Sequence, residues 1–321
     1  DTDINKDPYF KEVKKKFVSE RTLNKSFIEE IESSFEKDKL SIGDDGSVVE
    51  IDQEMELVTV LDSITVGTHY LPGTSSASIG HKIFAVNLSD IAAMGAKPKW
   101  AHLSLSLPVV EKLWLEGFVE GFIPLLSQYD LKIIGGDTIR GPEMFSLSIQ
   151  GLVKKDRYVT RTNANDGDLI YVTGHLGSAA FGLHLLRSDK NEPEQFIHDF
   201  NFPTPRVNEG IFLSDFASSM IDVSDGFGAD LLKLITASSM GFRVNIDQLP
   251  IRKEMIEAIG FDESISMALS GGDDYELCFT VPAKTKDKFE NLLIAIVGDL
   301  DHSRVVNSFI EAIQIVGYKS L

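Results

Sequence analysis

Apolar residues recur along the chain with two different periods, and the change of period marks its organisation. Within the first forty residues Phe27, Ile28, Ile31 and Phe35 stand three and four apart among Glu and Lys, which predicts an amphipathic surface helix. From Leu57 the period shortens to two: Leu57–Leu61, Ala101–Leu107 (AHLSLSL), Leu131–Ile134 and Ser146–Val153 (SLSIQGLV) read as strands of a sheet with one apolar face. Helices are predicted between them. One spans Ser78–Met94, closed by Gly95 and Pro98, and one spans Glu111–Tyr129, where Pro124 is expected to kink or break it. Lys154–Asp168 is polar and turn-rich, so a boundary is placed there, dividing the chain into domains 1–155 and 156–321. Beyond it, strands at Leu169–Thr173, Met220–Val223 and Leu277–Val281 alternate with helices at Arg206–Ala217 and Gly228–Met240. The fold class is α/β of the α+β type, with an N-terminal mixed sheet carrying helices on one face and a C-terminal α/β domain.

Charge narrows the partners. Lys and Arg number 31 against 49 Asp and Glu, a net charge of −18, and the resulting field repels nucleic acid and anionic membrane. The longest apolar runs, such as Leu292–Val297, fall far short of the roughly 18 residues of a membrane span, and no signal-peptide pattern is visible. Cys278 is the only cysteine, which excludes an internal disulfide framework or thiolate metal site and makes a cytoplasmic setting the expectation.

The placement of single aspartates is more informative than their number. Asp45, Asp62, Asp90, Asp137, Asp222 and Asp225 each stand in an apolar or Gly-rich setting, and those at 62, 137 and 222 follow β-like runs, where a carboxylate is expected at the rim of a sheet. One such aspartate alone is ordinarily a turn residue or a helix cap. A converging set is different, because two carboxylates about 4 Å apart repel by roughly 4 kcal/mol at an effective dielectric near 20, and the cluster then requires cations. Oxygen donors with no Cys or HExxH pattern point to Mg²⁺, with Mn²⁺ and Ca²⁺ as the alternatives. Such a metal completes its shell with substrate phosphates. The turns Gly135–Thr138 and Thr173–Ser178 are candidates to receive them, the second through the N–H groups opening a helix. Arg140 or Arg161 could fork onto a phosphate, and His69 is a candidate for substrate contact. GxxxxGK[ST] and a complete GxGxxG are both missing, which removes support for a P-loop or an ordinary dinucleotide-binding enzyme.

Taken in order, IGDD (Ile42–Asp45), AVNLSDIAAMGAKP (Ala85–Pro98), IGGDT (Ile134–Thr138), the Arg161 segment, GDLIYVTGHLGSAA (Gly167–Ala180), IDVSDG (Ile221–Gly226) and LSGGDDYEL (Leu269–Leu277) resemble the thiamine-monophosphate kinase family of the aminoimidazole ribonucleotide synthetase-like superfamily. The resemblance implies ATP-dependent conversion of thiamine monophosphate to the diphosphate, several Mg²⁺ ions in a cleft between two domains, and a homodimer formed by pairing of N-terminal sheets. It makes Asp45, Asp62, Asp90, Asp137, Asp222 and Asp225 metal ligands. Gly136, Arg161 and Ser224 become ATP contacts, and His69 and Asp273 substrate contacts.

The chain departs from the family pattern at three places. Val60 and Leu61 precede Asp62 where a hydroxyl residue is usual, Ile315 stands where the family carries an aromatic near its C-terminus, and the N-terminal helix lacks the usual opening. Two other readings compete: another ATP-using member of the superfamily, of the purine-pathway type, and a non-catalytic homologue that binds Mg²⁺ and nucleotide. A selenium-activating member would want a reactive cysteine near the N-terminus, and Cys278 lies elsewhere.

Overall fold

The structure is a computed structural model that describes residues 44–289; the helix expected around Phe27–Phe35 and the departure at Ile315 lie outside them. The described chain falls into two compact units, one of residues 44–158 with 201–211 and the other of 159–200 with 212–289.

The first unit is built on strands β1 (Ser47–Glu50), β2 (Met55–Thr65), β3 (Lys97–Leu107), β4 (Lys132–Arg140) and β5 (Met144–Lys154), with helices α1 (Ser76–Ala93) and α2 (Lys112–Tyr129). The sheet order is β1-β2-β5-β3-β4, with β3–β4 parallel and every other neighbour antiparallel, which makes it mixed. Alternation decides its faces. Val58, Val60 and Ile64 of β2 share a buried face with Phe145, Leu147 and Ile149 of β5, and Leu61 goes to the opposite face opposite Ser148. Helix α1 is buried almost all round, consistent with its apolar composition on every side. It starts at Ser75, whose side chain accepts the N–H of Ser78, and ends as predicted at a left-handed Gly95. It meets α2 backbone to backbone: a Cβ on Gly80 would lie 2.0 Å from the Phe118 carbonyl oxygen, and one on Gly121 would lie 1.9 Å from that of Ala77. Helix α2 runs through Pro124 without a break, and Glu120, the residue four positions back whose carbonyl a proline cannot serve, is exposed.

The second unit carries β6 (Leu169–Val172), α3 (Ser178–Arg187), α4 (Glu194–Asn201) but for its last residue, β7 (Ser219–Val223), α6 (Phe227–Ala237), α7 (Lys253–Ile259), α8 (Phe261–Ser270) and β8 (Glu276–Val281), while α5 (Val207–Leu213) begins in the first unit and ends in the second. Its sheet is antiparallel, in the order β6-β8-β7. All of β7 and β8 is buried, and Ile221, Val223 and Cys278 share a core with Phe227 and Leu231 of α6 and Ile265 and Leu269 of α8. A strand buried on both faces shows no alternation, which is why these read as short apolar runs.

Candidate active site

In the first unit Asp45, on the bend ahead of β1, and Asp90, near the end of α1, bring carboxylate oxygens within 4.8 Å of each other. Both residues are half-buried, so the repulsion between them is not fully screened by water. The donor set is oxygen only and suits a hard divalent cation. Asp62 belongs to the same side of the sheet as α1, since its neighbour across the ladder is the buried Leu147. Its backbone N–H donates to Oδ1 of Asn87 at 3.0 Å, and Nδ2 of Asn87 donates to the Ile83 carbonyl at 2.9 Å. Fully buried Asn87 therefore ties the strand that carries Asp62 to the helix that carries Asp90.

Asp62 and Asp137 do not terminate strands, as the apolar runs had suggested. β2 continues to Thr65 and β4 to Arg140, because pairing with β5 and β3 fixes the backbone even where the side chains are polar and exposed. The register also separates the two. Asp137 lies beside Ser104, whose own partner is Ser146, so it leaves the sheet by the face away from Leu147 and Asp62. Gly136 next to it passes so close to β3 that a Cβ would meet the Leu103 carbonyl oxygen at 2.0 Å, and only glycine fits.

His69 sits in a tight reversal after β2. The Thr65 N–H donates to its Nδ1 at 3.2 Å, and buried Lys82 of α1 donates to its carbonyl at 2.9 Å. With Nδ1 accepting, Nε2 is the nitrogen left to donate to a ligand. Beside it the Tyr70 hydroxyl donates to Glu143 at 2.7 Å, and burial together with that carboxylate raises the phenol far above its ordinary range.

In the second unit Asp222 is buried within β7, opposite Leu277, and Ser224 and Asp225 form the turn into α6. Asp273 is brought to that turn: its N–H donates to the Ser224 carbonyl at 2.9 Å, and the Tyr275 N–H donates to the Val223 carbonyl at 2.9 Å. Asp273 is held at φ 72° and its carboxylate accepts the Tyr275 hydroxyl at 2.9 Å. A non-glycine residue in that region costs of order 1–3 kcal/mol and persists where its surroundings fix it. Arg161 is half-buried and its carbonyl accepts the Ser238 hydroxyl at 2.8 Å, which anchors the segment to the end of α6.

The Thr173–Ser178 turn does not present an open anion site. The carboxylate of Asp274 already accepts the N–H of Gly177 at 2.6 Å and of Ala179 at 3.1 Å, filling the N-terminus of α3 from within the chain. Sequence reading gave no role to Asn87 and Asp274, which stand within the motifs, or to Asp230 and Lys233. Asp230 is a buried acid inside an apolar helix pattern, the same signal that singled out Asp90. Its Oδ2 accepts the N–H groups of both Ser224 and Asp225 at 2.9 Å. Lys233 donates to Asp230 at 2.8 Å and to Asp225 at 2.5 Å. Burial works against its ammonium, but the two carboxylates outweigh that and hold it above the ordinary lysine range.

The mixed sheet backed by two helices has the fold of an AIR-synthase-related domain. A family profile described as AIR synthase related protein, N-terminal domain, matches residues 43–153. The thiamine-monophosphate kinase of Buchnera aphidicola subsp. Acyrthosiphon pisum is 42% identical over 254 residues, 78% of this chain and 79% of its own length. The crystal structure of thiamine-monophosphate kinase from Stenotrophomonas maltophilia superposes with a TM-score of 0.76 at 38% identity, covering 86% of this chain and 88% of that one. AaThiL complexed with AMPPCP and TMP superposes with a TM-score of 0.75 at 32% identity, covering 82% and 86%. The chain belongs to the thiamine-monophosphate kinase family.

Proposed function

We propose that the chain transfers the γ-phosphate of ATP to thiamine monophosphate, giving ADP and thiamine diphosphate, in a reaction that depends on Mg²⁺. Membership of the kinase family together with the Asp45–Asp90 pair carries this reading. The AaThiL complex supports the pair of substrates, since AMPPCP is an analogue of ATP.

Asp45, Asp62 and Asp90 of the first unit and Asp222 and Asp225 of the second would hold the metal ions. Asp137 leaves the sheet by the other face, so the register does not bring it to Asp62, and the metal set proposed is Asp45, Asp62, Asp90, Asp222 and Asp225. Held by these carboxylates, Mg²⁺ would supply the positive charge that offsets the negative charge spread over the transferring group. Gly136, Arg161 and Ser224 position the nucleotide: Gly136 by letting backbone approach closely, Arg161 by its fork of donors, and Ser224 from a turn whose backbone Asp230 fixes. His69, through Nε2, and Asp273 orient thiamine monophosphate. An acceptor phosphate has its second pKa near 6 and is ionised at neutral pH, so no side chain has to remove a proton. An oxygen of that phosphate bonds to the γ-phosphorus in line as the bond to the β,γ-bridging oxygen breaks.

The sheet's outer face leaves Val49, Leu61, Trp100, Ile139 and Met144 exposed, and the register puts all five on one side. That is the surface a second copy would cover, and it supports a homodimer paired through these sheets. The setting is the cytoplasm, in keeping with a lone buried thiol at Cys278; among the described residues no helix is long and apolar enough to cross a membrane.

Purified protein with ATP, Mg²⁺ and thiamine monophosphate should yield ADP and thiamine diphosphate. Product only from a purine-pathway substrate, or nucleotide binding without turnover, would overturn the reading. Labelled ATP should leave no phosphoprotein behind.

A further inference from the structure

We propose that Lys233 is a built-in stand-in cation for Asp225, and that Asp230 is the positioning residue holding both it and the Ser224–Asp225 turn. The inference rests on the reading of Asp225 as a metal ligand and deepens it. Asp230 lies on α6 with its side chain 1% exposed and both of its oxygens engaged. Oδ2 takes the two consecutive N–H groups of Ser224 and Asp225, and Oδ1 takes the Lys233 ammonium one turn further along the same helix. These bonds satisfy a buried carboxylate, so Asp230 is the fixed part of the assembly. The turn it grips must be set accurately, because Gly226 follows at φ 106° and the Asp273 N–H docks on the Ser224 carbonyl.

Lys233 then reaches outward. Its ammonium bridges from Asp230 to Oδ2 of Asp225, a carboxylate whose side chain is 47% exposed while that of Lys233 is 24% exposed. An exposed acid of this kind gains little from an ion pair in water, so stabilising the fold is a weak reason for the bridge. Keeping the carboxylate in place until a divalent cation takes it accounts for the geometry. Lys233 and a cation would compete for the charge of one carboxylate, so the lysine pre-sets the ligand and at the same time would weaken cation binding.

The test is direct binding of Mn²⁺, followed by the signal of the free ion, on wild-type protein and variants, alongside turnover. The Asp225-dependent binding step is identified as the one that Asp225→Asn removes. Lys233→Met should tighten that step by roughly threefold to tenfold, as expected of removing one competing charge-assisted bond. Because Lys233→Met leaves Asp230 buried without its ammonium, the double variant Asp230→Asn with Lys233→Met is made as well. It keeps an acceptor oxygen for the turn, removes both charges, and should tighten the step by the same factor. Asp230→Ala should weaken it by roughly tenfold or more, with Asp230→Asn recovering part of the loss. Unchanged or weaker binding in both Lys233 variants, while the wild type binds Mn²⁺ and turns over, would overturn this inference alone. If the wild type shows no Asp225-dependent binding, Asp225 is not a ligand, and the reading of the site falls with it.

Discussion

Asp45 and Asp90 reach each other from distant parts of the chain and bring carboxylate oxygens within 4.8 Å, whereas Asp225 and Asp230 stand on one turn and helix and share the ammonium of Lys233. The first grouping is assembled by the fold, and its repulsion is a cost that a bound cation relieves. The second is assembled locally and carries its own cation. Neutralising a carboxylate in the first should therefore remove chemistry and spare the fold, and dismantling the second should damage the fold around the turn.

The sharpest way to break this contrast is Asp90→Asn. Turnover at saturating ATP should fall by roughly 10²- to 10³-fold, while the melting temperature holds or rises because a like-charge contact is relieved. Full activity in that variant, measured as ADP released per enzyme, would make the pair merely structural. Asp230→Ala should do the reverse and cost stability first: about 3 kcal/mol by urea titration, since two backbone N–H groups and a half-buried ammonium lose their acceptor. A loss as small as that of a surface substitution would mean that water replaces Asp230 and the turn does not depend on it.

The two groupings were unequally legible in the sequence, for the same reason that they differ physically. Asp90 stood out because an acid amid Val86, Leu88, Ile91 and Ala92 violates the pattern of its helix. Asp230 breaks its helix in the same way, but with Lys233 three residues later it resembles an ordinary intrahelical ion pair, and nothing local says that its oxygens turn back to the Ser224–Asp225 N–H groups. Helix α1 was readable to within two residues because its apolar run and closing glycine are local signals. β1, and the polar ends of β2 and β4, were not, because a strand's extent is set by its partners. The same limit hid the face on which Asp137 emerges. Parity against Asp62 depends on two intervening strands and on an irregularity between Ala101 and His102, none of which composition or spacing records.

Asn87 sharpens the contrast from the side of the first unit, where a neutral amide does what Asp230 does in the second. Asn87→Ala should cost about 2 kcal/mol, from a buried acceptor lost to the Asp62 N–H. It should also weaken Mn²⁺ binding by roughly 10- to 100-fold through the displaced strand. If stability falls but Mn²⁺ affinity does not, Asn87 holds the fold together without placing Asp62.

A further contrast lies at Asp274, where helix N–H groups and burial pull in opposite directions. Burial, the larger influence, pushes its carboxyl up to about 8, and the N–H groups of Gly177 and Ala179 act to lower it. A folded-state value above the ordinary 3.8 means that the folded chain holds a proton the unfolded chain has lost. Its contribution to stability is then full below the ordinary value and is lost as pH rises through about 8. Urea midpoints at acidic, neutral and mildly alkaline pH should therefore decline more steeply for the wild type than for Asp274→Asn, which keeps an acceptor oxygen and cannot ionise. Parallel profiles would show that the two N–H groups at the start of α3 prevail over burial. Asp274 would then be an ionised cap, occupying by its charge as well as its shape the place where an external anion would otherwise bind.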